Sequence, residues 1–110
     1  MEISYKNKKL ENALTLDKEM IRSYGTRAKK VKQRMKELEA ADDLAVIAKY
    51  PAMRLHPYIG DRIGEWSIDI FENWRICFEI NQTPIPMLKD GGVNLSQVVA
   101  IKILSIEDPH

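Results

Sequence analysis

The sequence predicts an α+β fold: helices from the first half packed on a twisted, mainly antiparallel sheet from the second. Two observations carry that expectation. Up to about Lys49 apolar residues recur every three or four positions, and from Trp66 onward they alternate with period two. A third observation sets the scale. The 110 residues, 45% hydrophobic and 30% charged, suit one small domain covering 1–110. That length excludes a multidomain enzyme. Five glycines without a G-x-G-x-x-G argue against a dinucleotide site. Adequate apolar content and a net charge of +1 argue against disorder.

The elements follow in order. Residues 2–5 read as a short strand. A helical stretch from Lys8 to Tyr24 puts Leu10, Ala13, Leu14, Ile21 and Tyr24 on one face, and Asp17 interrupts that face, so a break is expected near Thr15. Gly25-Thr26 marks a stop and a restart. From Thr26 to Ala41, the residues Ala28, Val31, Met35, Leu38 and Ala41 form an apolar stripe, with Lys29, Lys30, Lys32, Arg34 and Lys36 on the other face. Asp42-Asp43 suits the cap of a short helix from Leu44 to Lys49, which Pro51 ends.

Trp66–Ile70 and Trp74–Ile80 read as a hairpin turning at Glu72-Asn73. Trp66, Ile68, Ile70, Trp74, Ile76, Phe78 and Ile80 then face the helices, and Ser67, Asp69, Arg75, Cys77 and Glu79 face away. Residues 82–94, with Thr83-Pro84-Ile85-Pro86 and Asp90-Gly91-Gly92, read as a loop without regular structure. The β-branched run 97–106 reads as a buried strand.

One cysteine excludes a disulfide framework and a multi-Cys zinc site. The first residues lack the apolar core of a signal peptide, and the longest uncharged stretch, 91–101, is too short to span a bilayer. A cytoplasmic protein without a membrane partner is the expectation. The small net charge hides an asymmetry: Lys6–Lys36 carries +8 and Glu37–His110 carries −6. The basic third is either a solvated helix face or a contact for a polyanion or an acidic partner.

Few residues offer chemistry. His56 and His110 are the two histidines, and neither sits in an H-x-x-x-H or Cys/His cluster, so no metal and no cofactor is expected. Each is either structural or a proton-transfer group. Arg75, in mid-strand on the face away from the core, either pairs with Asp69 or Glu79 or binds an anion. Cys77 shares that face but has no base partner in sight, which disfavours a thiol nucleophile.

Arg54-Leu55-His56-Pro57, Gly60-Asp61-Arg62, Gly64, Trp66-Ser67-Ile68 and Asn73-Trp74-Arg75-Ile76-Cys77-Phe78 resemble the HigB branch of the RelE-like toxins. The family pattern runs approximately R/K-L-H-P-L-K-G-D-x-x-G-x-W-S-I, then N-W-R-I-x-F, ending in D-Y-H. The resemblance is specific over 54–78, and the order of elements fits the whole chain. It implies a compact RelE-like fold. It also implies a type II toxin, a ribosome-dependent mRNA endoribonuclease neutralised by a HigA-like helix-turn-helix antitoxin. The family histidine falls on His56, the arginine on Arg75, and the terminal aspartate and histidine on Asp108 and His110. Three positions depart: Ile59 stands at the family lysine with Tyr58 before it, Pro109 stands at the terminal aromatic residue, and 81–94 is an inserted loop.

RNA cleavage without metal needs a base for the 2′-OH, a cation for the phosphorane and an acid for the leaving 5′-oxygen. The resemblance assigns His56 and His110 to proton transfer, Asp108 to orienting or replacing one of them, and Arg75 to the phosphorane. Arg54 or Arg62 would hold flanking phosphates, and Lys29, Lys30 and Lys32 would meet ribosomal RNA or an acidic antitoxin segment. The other reading is a weakly active toxin-fold binding protein that reaches operator DNA only through its antitoxin.

Overall fold

In the computed structural model, which describes residues 1–108, five strands form one sheet in the order β1-β5-β4-β3-β2. They are β1 (Glu2–Tyr5), β2 (His56–Pro57), β3 (Glu65–Phe71), β4 (Trp74–Ile80) and β5 (Ala100–Glu107). β1 lies parallel to β5, and the other neighbours are antiparallel. Pro109 and His110, the latter an expected proton-transfer group, lie outside the described residues.

Four helices precede the main hairpin: α1 (Lys8–Thr15), α2 (Asp17–Tyr24), α3 (Ala28–Ala40) and α4 (Leu44–Ala48). The break expected near Thr15 occurs at Leu16, whose extended backbone ends α1 and starts α2. Asn7 caps α1 by accepting from the Leu10 amide at 2.8 Å, and Asp43 caps α4 by accepting from Val46 at 3.1 Å. At Gly25, φ is +55°, a conformation glycine adopts without a Cβ clash, and the chain turns there before α3. Val31, Met35 and Leu38 of α3 and Leu44 and Ile47 of α4 pack with Ile68, Ile76, Phe78, Ile101 and Ile103 of the sheet.

The last strand starts three residues later than the sequence predicts. Leu95–Gln97 is a 3-10 turn, and the Val98 carbonyl accepts from the Leu44 amide at 3.1 Å, which anchors it to α4. The loop before it is less irregular than expected: Met87 bridges Val93, and the Asn94 amide donates to the Pro86 carbonyl at 2.9 Å.

A bulge opposite Cys77/Phe78 decides which β5 residues meet the open face. Ile76 pairs with Ile106 and Phe78 with Ile103, so one extra residue sits between the two on β5. Both isoleucines therefore stay with the core, while Ser105 registers with Cys77 and Glu107 with Arg75. Arg62 reaches that strand end from the turn before β3. Its Nη1 and Nη2 donate to the two Glu107 oxygens at 3.0 and 2.7 Å, and Nη2 also donates to Glu65 at 2.9 Å. Ser105 Oγ donates to Glu107 Oε2 at 2.6 Å.

The Arg62 guanidinium, helped by the Ser105 hydroxyl and opposed by burial, holds the Glu107 carboxyl down from 4.5 to about 2. A depressed folded value means that the stabilisation is complete above pH 4.5 and is lost as pH falls towards 2. Glu107→Gln is expected to cost about 1–2 kcal/mol near neutrality, after discounting for solvent screening, and to flatten the acid limb of stability. Urea denaturation from pH 7 to pH 2 measures both. An unchanged acid limb would place the stabilising charge elsewhere.

Candidate active site on the open face of the sheet

β2 is two residues long, yet it sets the first candidate side chain. His56 registers with Ser67 of β3, and the Tyr58 amide continues the ladder by donating to the Glu65 carbonyl at 2.9 Å. His56 and Tyr58, two residues apart, share one side of this edge. Arg54 just before has φ +46° and ψ +52°, a left-handed conformation that costs a non-glycine residue free energy. That turn brings its carbonyl to 2.7 Å from His56 Nδ1. A carbonyl only accepts, so Nδ1 carries the hydrogen and the lone pair of the neutral ring sits on Nε2. Ser67, fully buried, donates its hydroxyl to Nε2 at 3.3 Å. That distance is long for such a bond and leaves Nε2 ready to exchange partners.

Arg75 lies between two carboxylates in the ladder, Asp69 on β3 and Glu107 on β5. Neither pairs with it. Asp69 is held by Arg54 at 2.9 Å, Glu107 by Arg62 at 2.7 Å, and Glu79, the other expected partner, lies near Lys102 at 3.9 Å. Arg75 Nη1 instead donates to the Tyr58 hydroxyl at 3.0 Å, and its buried Nε has no partner among the described residues.

Tyr58, to which the sequence assigns no role, is the hub of these contacts. The Arg62 guanidinium stacks on its ring at 4.3 Å, the His56 ring meets it edge-on at 5.6 Å, and its hydroxyl lies 3.6 Å from Cys77 Sγ. Its spacing of two from His56 was the available signal. Ser67 was assigned to the right face without a role. Glu107 was invisible as a partner because the bulge sets its register. Burial pushes the Cys77 thiol up, against the downward pull of the Tyr58 hydrogen bond, so the thiolate is disfavoured.

The structure therefore brings His56, Arg75, Arg54 and Arg62 together on one face. Arg62 is engaged by Glu107 and Glu65, whereas the Arg54 side chain remains 61% exposed beside Asp69. Asp108 is exposed directly after β5. Lys29, Lys30 and Lys32 are not part of this cluster. They belong to α3, whose buried residues Ala28, Val31 and Met35 pack on the other face of the sheet, and Lys32 pairs with Asp17 at 2.9 Å.

No family model matches the chain. Endoribonuclease HigB of Proteus vulgaris is 36% identical over 50 residues, 46% of this chain and 53% of that protein. The chain thus matches about half the length of that curated relative. The YoeB/ParE toxin from Agrobacterium tumefaciens superposes with a TM-score of 0.51 at 13% identity, covering 100% of both chains. A YafQ mutant from E. coli superposes with a TM-score of 0.52 at 14% identity, covering 98% of this chain and 92% of that one. The chain thus shares the fold of these two toxins, and over that 50-residue stretch its sequence is similar to HigB.

Proposed function

We propose that this chain is the toxin of a type II toxin–antitoxin pair, an endoribonuclease that cuts message on the translating ribosome by metal-independent acid/base chemistry. The observation that carries this reading is Arg75, a guanidinium on the central strand whose ladder carboxylates are taken by other arginines and which is joined to His56 through Tyr58. His56 Nε2 takes the 2′-OH proton. The freed 2′-oxygen attacks phosphorus, and Arg75 steadies the charge on the phosphorane. An acid then protonates the departing 5′-oxygen, leaving a 2′,3′-cyclic phosphate. That acid is proposed to be His110, oriented by Asp108.

The electrostatics support a ribosomal setting. Arg54, Arg62 and Arg75 are matched in number by Glu65, Asp69 and Glu107, so the cluster as a whole is neutral. Net charge will not draw RNA onto this face; an outside scaffold that presents the message supplies the missing positioning. Exposed Arg54 would touch a flanking phosphate. Lys29, Lys30 and Lys32, on the far face, would meet ribosomal RNA or an acidic segment of a HigA-like helix-turn-helix antitoxin. Operator DNA would be reached only through that antitoxin, and the site of action would be the cytoplasm. One observation favours a weakly active binding protein instead: Ile59, 88% exposed, stands where the motif of the resemblance has lysine.

In a reconstituted translation assay, His56→Ala and Arg75→Ala are each expected to slow message cleavage by about 10²-fold or more. Arg75→Ala should leave the melting temperature within a few degrees, because its side chain lies off the core. Full cleavage by both His56→Ala and a chain lacking His110 would remove the acid/base assignment. A large loss of melting temperature in Arg75→Ala would make that arginine structural.

A further inference from the structure

We infer that the Tyr58 hydroxyl is a second phosphate donor, acting beside Arg75 as one arm of an anion clamp. This rests on the reading of Arg75 as the phosphate-binding cation and extends it to a residue outside the expected site. The Tyr58 oxygen accepts from Arg75 Nη1 at 3.0 Å, so its own hydrogen must point to another acceptor. Among the described residues the neighbour in reach is Cys77 Sγ at 3.6 Å, a buried thiol and a weak acceptor. Giving up that contact costs little, and a phosphate oxygen is a far stronger acceptor.

The ring is also held in place. Arg62 covers it at 4.3 Å while gripping Glu107 through both oxygens, and His56 abuts its edge at 5.6 Å. Anchored ring and open donor together are the preorganisation that electrostatic stabilisation requires. A phosphate oxygen placed between Tyr58 Oη and Arg75 Nη1 would receive a hydrogen bond from each. The His56 ring abuts the same tyrosine, and its Nε2 would exchange the long Ser67 contact for the neighbouring 2′-OH.

The test is an NMR titration of the full chain with adenosine 3′-monophosphate, with adenosine as the uncharged control. Tyr58→Phe keeps the ring under Arg62 and removes only the hydroxyl. It is expected to weaken the nucleotide about tenfold, the effect of one hydrogen bond to a charged group, without moving the control. Arg75→Gln should weaken it at least as much. Site-specific 3-fluorotyrosine at position 58, a stronger donor of nearly the same shape, should tighten binding at pH 6; a merely structural ring would leave it unchanged. Tyr58→Phe binding as tightly as the unsubstituted chain, or fluorotyrosine without effect, overturns the inference. If Arg75→Gln alone weakens binding, Tyr58 is excluded and the Arg75 reading stands. If neither substitution matters, or the unsubstituted chain shows no shift at Arg75, both readings fall.

Discussion

Arg62 holds both oxygens of Glu107 while resting on the ring of Tyr58, and the open face of the sheet is organised around that contact. The bridge fastens the end of β5 to the turn ahead of β3, two segments distant in sequence. It removes from Arg75 one of its two cross-strand carboxylates. It also immobilises the phenol that Arg75 uses in place of a carboxylate. Arg54 does the same on the other side, taking Asp69 and, through its left-handed backbone, offering the carbonyl that fixes the His56 tautomer. Arg75 thus stands without a carboxylate partner among the described residues inside a charge-balanced cluster, because each acid is claimed by an arginine from outside β4.

That balance has a functional meaning. A surface with a large positive field binds any polyanion. Three arginines interleaved with three carboxylates carry no net field, and a phosphate would have to be held by individual donors. Under the proposed function, selectivity would come from geometry and from whatever presents the RNA. The basic charge counted in the sequence lies mainly in the helical layer, so the net charge and the candidate chemistry belong to different faces of the molecule.

Most of the architecture could be read from periodicity. Alternation of Trp66, Ile68 and Ile70 against Ile76, Phe78 and Ile80 separated the two faces of the hairpin correctly, since a period of two leaves no other arrangement for a half-buried pair. The split at Leu16 and the Asp43 cap were foreshadowed by Asp17 and by Asp42-Asp43. The start of β5 was not legible, because Val98 is apolar and buried like a strand residue but bonds to α4. His56 and Arg75 were candidates by motif and position. The pairing choices of Arg75 were beyond sequence, because they depend on a bulge and on two arginines arriving from turns. Tyr58 was within reach by its spacing of two from His56.

The most direct measurement is a crystal structure of the chain with a short RNA carrying a 2′-deoxy residue at the scissile position. A phosphate on Arg75 and Tyr58, with Asp69 still held by Arg54 and Glu107 by Arg62, is the expected result. A phosphate on the α3 lysines, or Arg75 turned onto Asp69 or Glu107, would contradict the account.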